Sequence, residues 1–202
     1  MGHAIISFVE GAMSSPWVYI ALLALAAGDG MLPILPSETL VVTAGVYAAS
    51  GETSLVLVVL AAAAGAFAGD HASYAIGRTA GARLLQRTRP GSSRGKALGW
   101  ARAQLETRGG SILIVCRYIP GARTATTLTA GAVGHPLRSF STFDGIAALS
   151  WGAYCALVGY VGGSAFEGNP LLGVGLGLGL ALSVAGAVEW VRHVRRTRAV
   201  AA

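Results

Sequence analysis

Long apolar runs separated by short polar interruptions make up most of the chain, and their lengths divide them into two kinds. Ser54 to Gly77 reads SLVLVVLAAAAGAFAGDHASYAIG, long enough at 1.5 Å per residue to cross a hydrocarbon layer of about 30 Å as a helix. Leu137 to Gly163 is a second such segment, although it carries Asp144. Pro170 to Trp190 is a third, with a Gly/Leu alternation suited to close packing between membrane helices. Two other runs are too short to cross. Pro16 to Gly28 is interrupted by D-G-M-L-P-I-L-P-S-E (Asp29 to Glu38) before Thr39 to Ala49 resumes. After Gly109 the run SILIVC is interrupted by R-Y-I-P-G-A-R (Arg117 to Arg123) before the small residues of Thr124 to Gly134. Proline frees backbone groups that lipid does not satisfy, so such breaks persist at membrane depth only where protein shelters them or a cavity borders them. The pattern predicts two re-entrant helical hairpins.

Composition decides the solvent. At 53% hydrophobic and 12% charged residues, with mean hydropathy +0.61, the 202-residue chain is too apolar for an ordinary soluble domain. A net charge of +6 would suggest nucleic acid as a partner of a soluble protein. Here eight of the 15 Lys and Arg residues fall between Arg78 and Arg108, and four more, Arg192, Arg195, Arg196 and Arg198, close the chain. Both stretches read as cytoplasmic by the positive-inside rule, and no nucleic-acid partner is expected.

That orientation fixes a layout. A cytoplasmic basic loop at 78–108 makes the helix 54–77 run inward, the hairpin at about 109–136 dip in from the cytoplasm and the helix 137–163 run outward. The C-terminal transmembrane helix 170–191 then leads to a basic cytoplasmic tail, 192–202. The first hairpin, about 16–50, dips in from outside, which makes the domain 16–165 an inverted repeat. Residues 1–15 are expected as an interfacial N-terminal segment, unless residues 1–28 join as a tilted span. The N-terminus lacks a basic signal-type start and is expected to be retained. Within the basic loop, Ala97, Leu98, Ala101 and Leu105 recur at helical spacing, as in a helix lying on an anionic leaflet or a solvated one.

An ionisable side chain at membrane depth is costly, which makes each one a functional candidate. Five stand out. Asp29 and Glu38 flank Pro33 and Pro36, Arg117 and Arg123 flank Pro120 and Gly121, and Asp70 interrupts the first long helix. Gly45 and Gly131 each close a T-A-G triplet within the hairpins. If the hairpins meet, Arg117 and Arg123 are expected to bind an anionic headgroup through phosphate oxygens. Asp29, Glu38 and Asp70 are expected to exchange protons as the coupling ion. The competing expectation is a set of buried salt bridges that pins one hairpin to the other. Asp144 and Arg138 are expected at the interface, and His71 beside Asp70 in a simple polar contact rather than a proton relay. Glu52, Glu106, Glu167 and Glu189 read as solvated, and Cys116 and Cys155 as small buried hydrophobes. His3, His135 and His193 lack metal-ligand spacing, so neither metal nor cofactor is expected. No P-loop, G-x-S-x-G or H-E-x-x-H motif is present, and no enzyme is expected.

Four motifs in order carry a resemblance to a family. They are D-G-M-L-P-I-L-P-S-E followed by T-A-G (Asp29 to Gly45), G-D-H-A-S-Y-A-I-G-R (Gly69 to Arg78), R-Y-I-P-G-A-R followed by T-A-G (Arg117 to Gly131), and W-x7-G-Y-x-x-G (Trp151 to Gly163). Over roughly residues 16 to 165 the chain resembles the DedA family, the bacterial branch of VTT (SNARE-associated Golgi protein) domain membrane proteins. The resemblance implies an all-α integral membrane protein with a DedA/VTT-like transporter fold. It implies proton-motive-force-dependent lipid transport, foremost flipping of undecaprenyl phosphate, an anionic polyprenyl phosphate, across the bacterial cytoplasmic membrane. Movement of phosphatidylethanolamine-type phospholipids by flippase or scramblase activity is the alternative it carries. It maps the family's functional acids and arginines onto Asp29, Glu38, Arg117 and Arg123. Three positions depart from the usual pattern: Asp29 stands where Glu is usual, Cys116 where Gly is common and Asp144 where Asn is common. A proton-coupled small-ion transporter and a non-transporting scaffold are the remaining readings. The expected partners are membrane lipids, protons and, in a homo-oligomer, further copies of the chain.

Overall fold

The computed structural model describes residues 11, 15–32, 37–87, 92–119 and 121–165. Among these the chain forms seven helices and no strand: α1 (Trp17–Met31), α2 (Ser37–Ala49), α3 (Leu55–Arg87), α4 (Ser93–Arg108), α5 (Ser111–Arg117), α6 (Ala122–Ala132) and α7 (Leu137–Ser164). Most of the N-terminal segment 1–15, the prolines Pro33, Pro36 and Pro120, the C-terminal helix 170–191 and the tail 192–202 lie outside the described residues.

Among the described residues, two helices are long and apolar enough to cross a membrane: the part of α3 over Leu55–Gly81, with 27 residues, and α7 with 28. The paired shorter helices are not. With 15, 13, 7 and 11 residues, α1, α2, α5 and α6 fall short of a hydrocarbon layer of about 30 Å. The first long helix was expected to end at Gly77 but continues to Arg87. The segment after Gly77 is rich in Ala, Leu, Gln and Arg, all good helix formers, and meets no proline before Pro90. The basic stretch beyond it forms α4, capped by the Ser92 hydroxyl, which accepts the Gly95 N–H at 3.1 Å. Ala101 and Leu105 of α4 are buried, while Trp100, Arg102 and Glu106 face outward.

Glycines set the helix directions. A side chain on Gly65 or Gly69 of α3 would collide with the backbone of Leu23 or Ala27, so α1 runs parallel to α3. Gly45 meets Ala156, while Gly159 and Gly163 meet Val42 and Val46, so α2 runs parallel to α7. On the other side Gly77 meets Leu128, Gly81 meets Ala132 and Gly131 meets Tyr74, so α6 runs parallel to α3. Gly110 abuts Phe143, and the Tyr118 hydroxyl donates to Ser150 Oγ at 2.9 Å, which aligns α5 with α7. The long helices themselves are antiparallel, since Val59 meets Gly152, His71 meets Ser141 and Tyr74 meets Phe140. Hence α1 and α2 run opposite ways, as do α5 and α6, and the second helix of each pair lies against the long helix of the other half. Removing the side chain lets backbones approach closely enough for many weak contacts, the usual adhesive of helices in lipid.

Two apolar cores result. One gathers Val18, Leu22, Val41, Val42, Val58, Ala62 and Trp151; the other holds Tyr74, Leu105, Ile112, Leu113 and Phe140. The outward faces are apolar as well: Trp17, Ile20, Val56, Leu60, Ile146 and Val161 are all exposed. A helix that is apolar all round belongs in lipid or in a protein interior.

Candidate functional site

Along both long helices, the acidic residues fall between the two cores. Asp70 follows Ala66 and precedes Tyr74 on α3, and Asp144 lies between Phe140 and Ala148 on α7. Asp29 sits in the last turns of α1, where Gly30 packs directly on Gly69 and Asp70. The Ser73 hydroxyl donates to the Gly30 carbonyl at 2.9 Å and fixes that approach. Arg117 ends α5 and Arg123 begins α6, with Gly121 at φ 76 in the turn between them. Only glycine takes that left-handed conformation without strain.

The five side chains form one network. Arg117 Nη1 lies 2.5 Å from Asp70 Oδ2 and 3.6 Å from Asp144 Oδ1. Arg123 Nη2 lies 3.2 Å from Asp29 Oδ2, its Nε 3.8 Å from Asp70 Oδ1, and Nη2 also donates to the Asp29 carbonyl. Asp29 Oδ2 accepts the Ser37 hydroxyl at 2.8 Å. The Arg117 guanidinium stands over the Trp151 ring, 5.3 Å from its centroid, a cation–π contact strengthened by the burial of both groups. Arg117, Asp70 and Asp144 are sealed, with at most 2% of each side chain exposed. Three carboxylates therefore meet two guanidiniums, an excess of one negative charge when all are ionised. Hydrogen-bonding capacity is also left over: Arg117 Nε and Nη2, Asp70 Oδ1 and Asp144 Oδ2 have no hydrogen-bond partner among the described residues. Such buried groups are costly unless something else engages them.

His71 borders the network. Its Nδ1 donates to the Phe67 carbonyl at 2.9 Å and lies 3.5 Å from Asp144 Oδ2, while Nε2 meets Ser141 Oγ at 2.8 Å. The ring is stacked against Phe67 and edged by Phe140. His135, in the turn before α7, receives the Tyr74 hydroxyl on its carbonyl, and burial holds its imidazole below the usual range, so it is neutral near pH 7.

Four of the five expected charges, Asp29, Asp70, Arg117 and Arg123, are thus brought together. Glu38 is not. It is exposed in the first turn of α2, within electrostatic reach of Tyr154 and Cys155, and makes no ion pair among the described residues. Neighbouring helical residues are about 100° apart around the axis, and Ser37 rather than Glu38 turns toward Asp29. Asp144, expected at the interface, is buried in the network, and His71 contacts Asp144 and Ser141 rather than Asp70. Their signal in the sequence was the apolar company of Asp144, with Phe140 and Phe143 before it and Ile146 to Ala148 after it. Gly45 and Gly131 serve the packing of α2 and α6 on the long helices rather than the hairpin turns. Cys116 and Cys155 are buried, Arg138, Glu52 and Glu106 are exposed, and no group of three His, Cys, Asp or Glu side chains among the described residues is arranged to hold a metal ion.

The VTT domain model matches residues 35–161, well over half of the chain. The chain belongs to the DedA family of VTT-domain proteins. It is 29% identical over 187 residues to Protein DedA of Escherichia coli K12, covering 89% of this chain and 84% of that protein. It is 32% identical over 136 residues to the uncharacterized membrane protein Rv0364 of Mycobacterium tuberculosis, covering 66% and 60%. A match to the inner membrane protein YohD of E. coli K12 spans 62% and 64% at 29% identity. No solved structure matches. With two helices of spanning length and relatives named as membrane proteins, this DedA-family chain is a membrane protein.

Proposed function

We propose that this DedA-family protein is a lipid transporter that moves an anionic lipid phosphate, foremost a polyprenyl phosphate such as undecaprenyl phosphate, across the cytoplasmic membrane with protons as the coupling ion. In this reading α1–α2 and α5–α6 are re-entrant hairpins of an inverted repeat, with the 78–108 segment and the C-terminus cytoplasmic. The exchanged packing supports the repeat: Gly45 and Gly131 hold corresponding positions, each against the other half's long helix. The contacts also pair Gly77 with Gly159 and Gly81 with Gly163 as corresponding positions of the two halves.

The observation that carries the proposal is the sharing of Arg117 and Arg123 among carboxylates in excess, in a sealed site between the two hairpins. A phosphate and the aspartates compete for the same guanidinium donors. While Asp29, Asp70 and Asp144 are ionised they occupy the arginines. Protonating them frees the forks for phosphate oxygens and removes like-charge repulsion of an arriving anion. Proton and phosphate binding are then mutually favourable, and reciprocity of linkage makes each promote the other. Trp151 and the surrounding apolar packing exclude water, so a bare charge does not cross alone.

The test is transport of a labelled polyprenyl phosphate in proteoliposomes under an imposed pH gradient. Arg117→Lys removes the planar fork while keeping the charge, and Arg123→Ala removes both. Each is expected to slow transport by about tenfold or more. Unchanged rates in both variants would overturn the assigned roles, and wild-type flux of a small phosphate ester in place of the lipid would overturn the substrate class.

A further inference from the structure

The competition just described needs a route by which protons enter a sealed cluster, and that inference rests on the proposed transport reading. We propose that His71 is the proton port of the site, with Ser141 as its outer link and Asp144 as the first acceptor inside. Asp144 Oδ2 is buried without a hydrogen-bond partner among the described residues and lies 3.5 Å from His71 Nδ1. The imidazole is 26% exposed where Asp144 is 2% exposed, so the ring spans the boundary between sealed and open regions. Its far nitrogen, Nε2, meets Ser141 Oγ at 2.8 Å. The Phe67 carbonyl accepts from Nδ1 and thereby fixes the hydrogen there, leaving Nε2 free to accept a proton from outside.

The step balances. A proton arriving through the Ser141 hydroxyl binds Nε2 and makes the imidazolium. A small rotation of the ring turns the Nδ1–H from the Phe67 carbonyl onto Asp144 Oδ2, 3.5 Å away, and Nδ1 passes that proton across, giving a neutral carboxylic acid and a neutral ring with its hydrogen on Nε2. When the site discharges, Asp144 returns its proton to Nδ1 and Nε2 releases its own through Ser141, which restores the starting tautomer, so the port carries one proton in and later out by the same path. Loss of the Asp144 charge weakens its hold on Arg117, 3.6 Å away, which is the change the phosphate requires. The other charged groups are placed to leave this route alone: the Asp70 carboxylate on the same helix is engaged with both arginines, and Arg138 on α7 is exposed. Ser141 lies one turn from the start of α7, level with Tyr74, so the port opens toward the end of the molecule that carries the basic residues of α3 and α4.

Trp151 reports on this event without any lipid, because its ring faces the Arg117 guanidinium. In protein carrying Trp17→Phe, Trp100→Phe and Trp190→Phe, a rapid downward pH jump should change Trp151 emission as the carboxylates protonate. His71→Gln is expected to reach the same final signal about tenfold or more slowly, and Ser141→Ala to slow the approach by a smaller factor. Added imidazole should restore the rate in His71→Gln, which a merely structural histidine would not permit. Equal relaxation rates with and without His71, or no emission change over the pH range in which transport is driven, would overturn the port. Because the signal needs no substrate, a wild type that relaxes as expected yet moves no lipid phosphate would count against the transport reading alone.

Discussion

Arg117 and Arg123 stand six residues apart in the same helical pair, yet they are held in different ways. Arg117 has 1% of its side chain exposed and joins α5 to both long helices through Asp70 and Asp144, with Trp151 against its face. Arg123 is 11% exposed and reaches mainly across to Asp29 in α1, taking both its carboxylate and its carbonyl. One arginine anchors the second pair to the scaffold; the other clips it to the first pair. Separating the two pairs would therefore break the Arg123 contacts, while Arg117 would stay with the long helices.

The contrast makes ordered predictions. Arg117→Ala leaves two buried carboxylates facing each other and is expected to cost about 3–5 kcal/mol of stability, read by thermal unfolding in detergent. The neutral pair Arg117→Gln with Asp70→Asn should recover most of that loss while transport stays absent, which separates the structural part of the anchor from its chemistry. Arg123→Ala should cost less, about 1.5–3 kcal/mol, because its main partner Asp29 is partly open to solvent and Asp70 keeps Arg117. Glu38→Gln is expected to change stability by no more than about 0.5 kcal/mol, since the side chain is exposed and makes no ion pair among the described residues. A loss for Arg123→Ala equal to that for Arg117→Ala would abolish the distinction between anchor and clip.

Much of this was legible in the chain. Asp29, Asp70, Arg117 and Arg123 announced themselves because ionised groups in apolar helices need partners, and few other charges were available to supply them. The alternation of two short helices with a long one followed from lengths and prolines, while their exchanged packing did not. What the sequence hid was angular and tertiary. Glu38 and Ser37 are neighbours, and only the orientation of α2 decides which of them meets Asp29. Asp144 lies in the second turn of its helix, a depth that suggests an interface, but α5 and the turn at Gly110 pack over it with Phe143 and seal that end. The extension of α3 to Arg87 overrode a boundary drawn from charge alone, because basic residues are also good helix formers.

The exchanged packing has a consequence for how the protein is made. Asp70 leaves the ribosome 47 residues ahead of Arg117, and α2 well ahead of the α7 surface that receives it. The first half is therefore synthesised before the arginine that pairs with Asp70 and the helix that covers the Gly45 face exist. Emergence of α5 to α7, rather than insertion of any earlier segment, is what lets the two halves make these contacts.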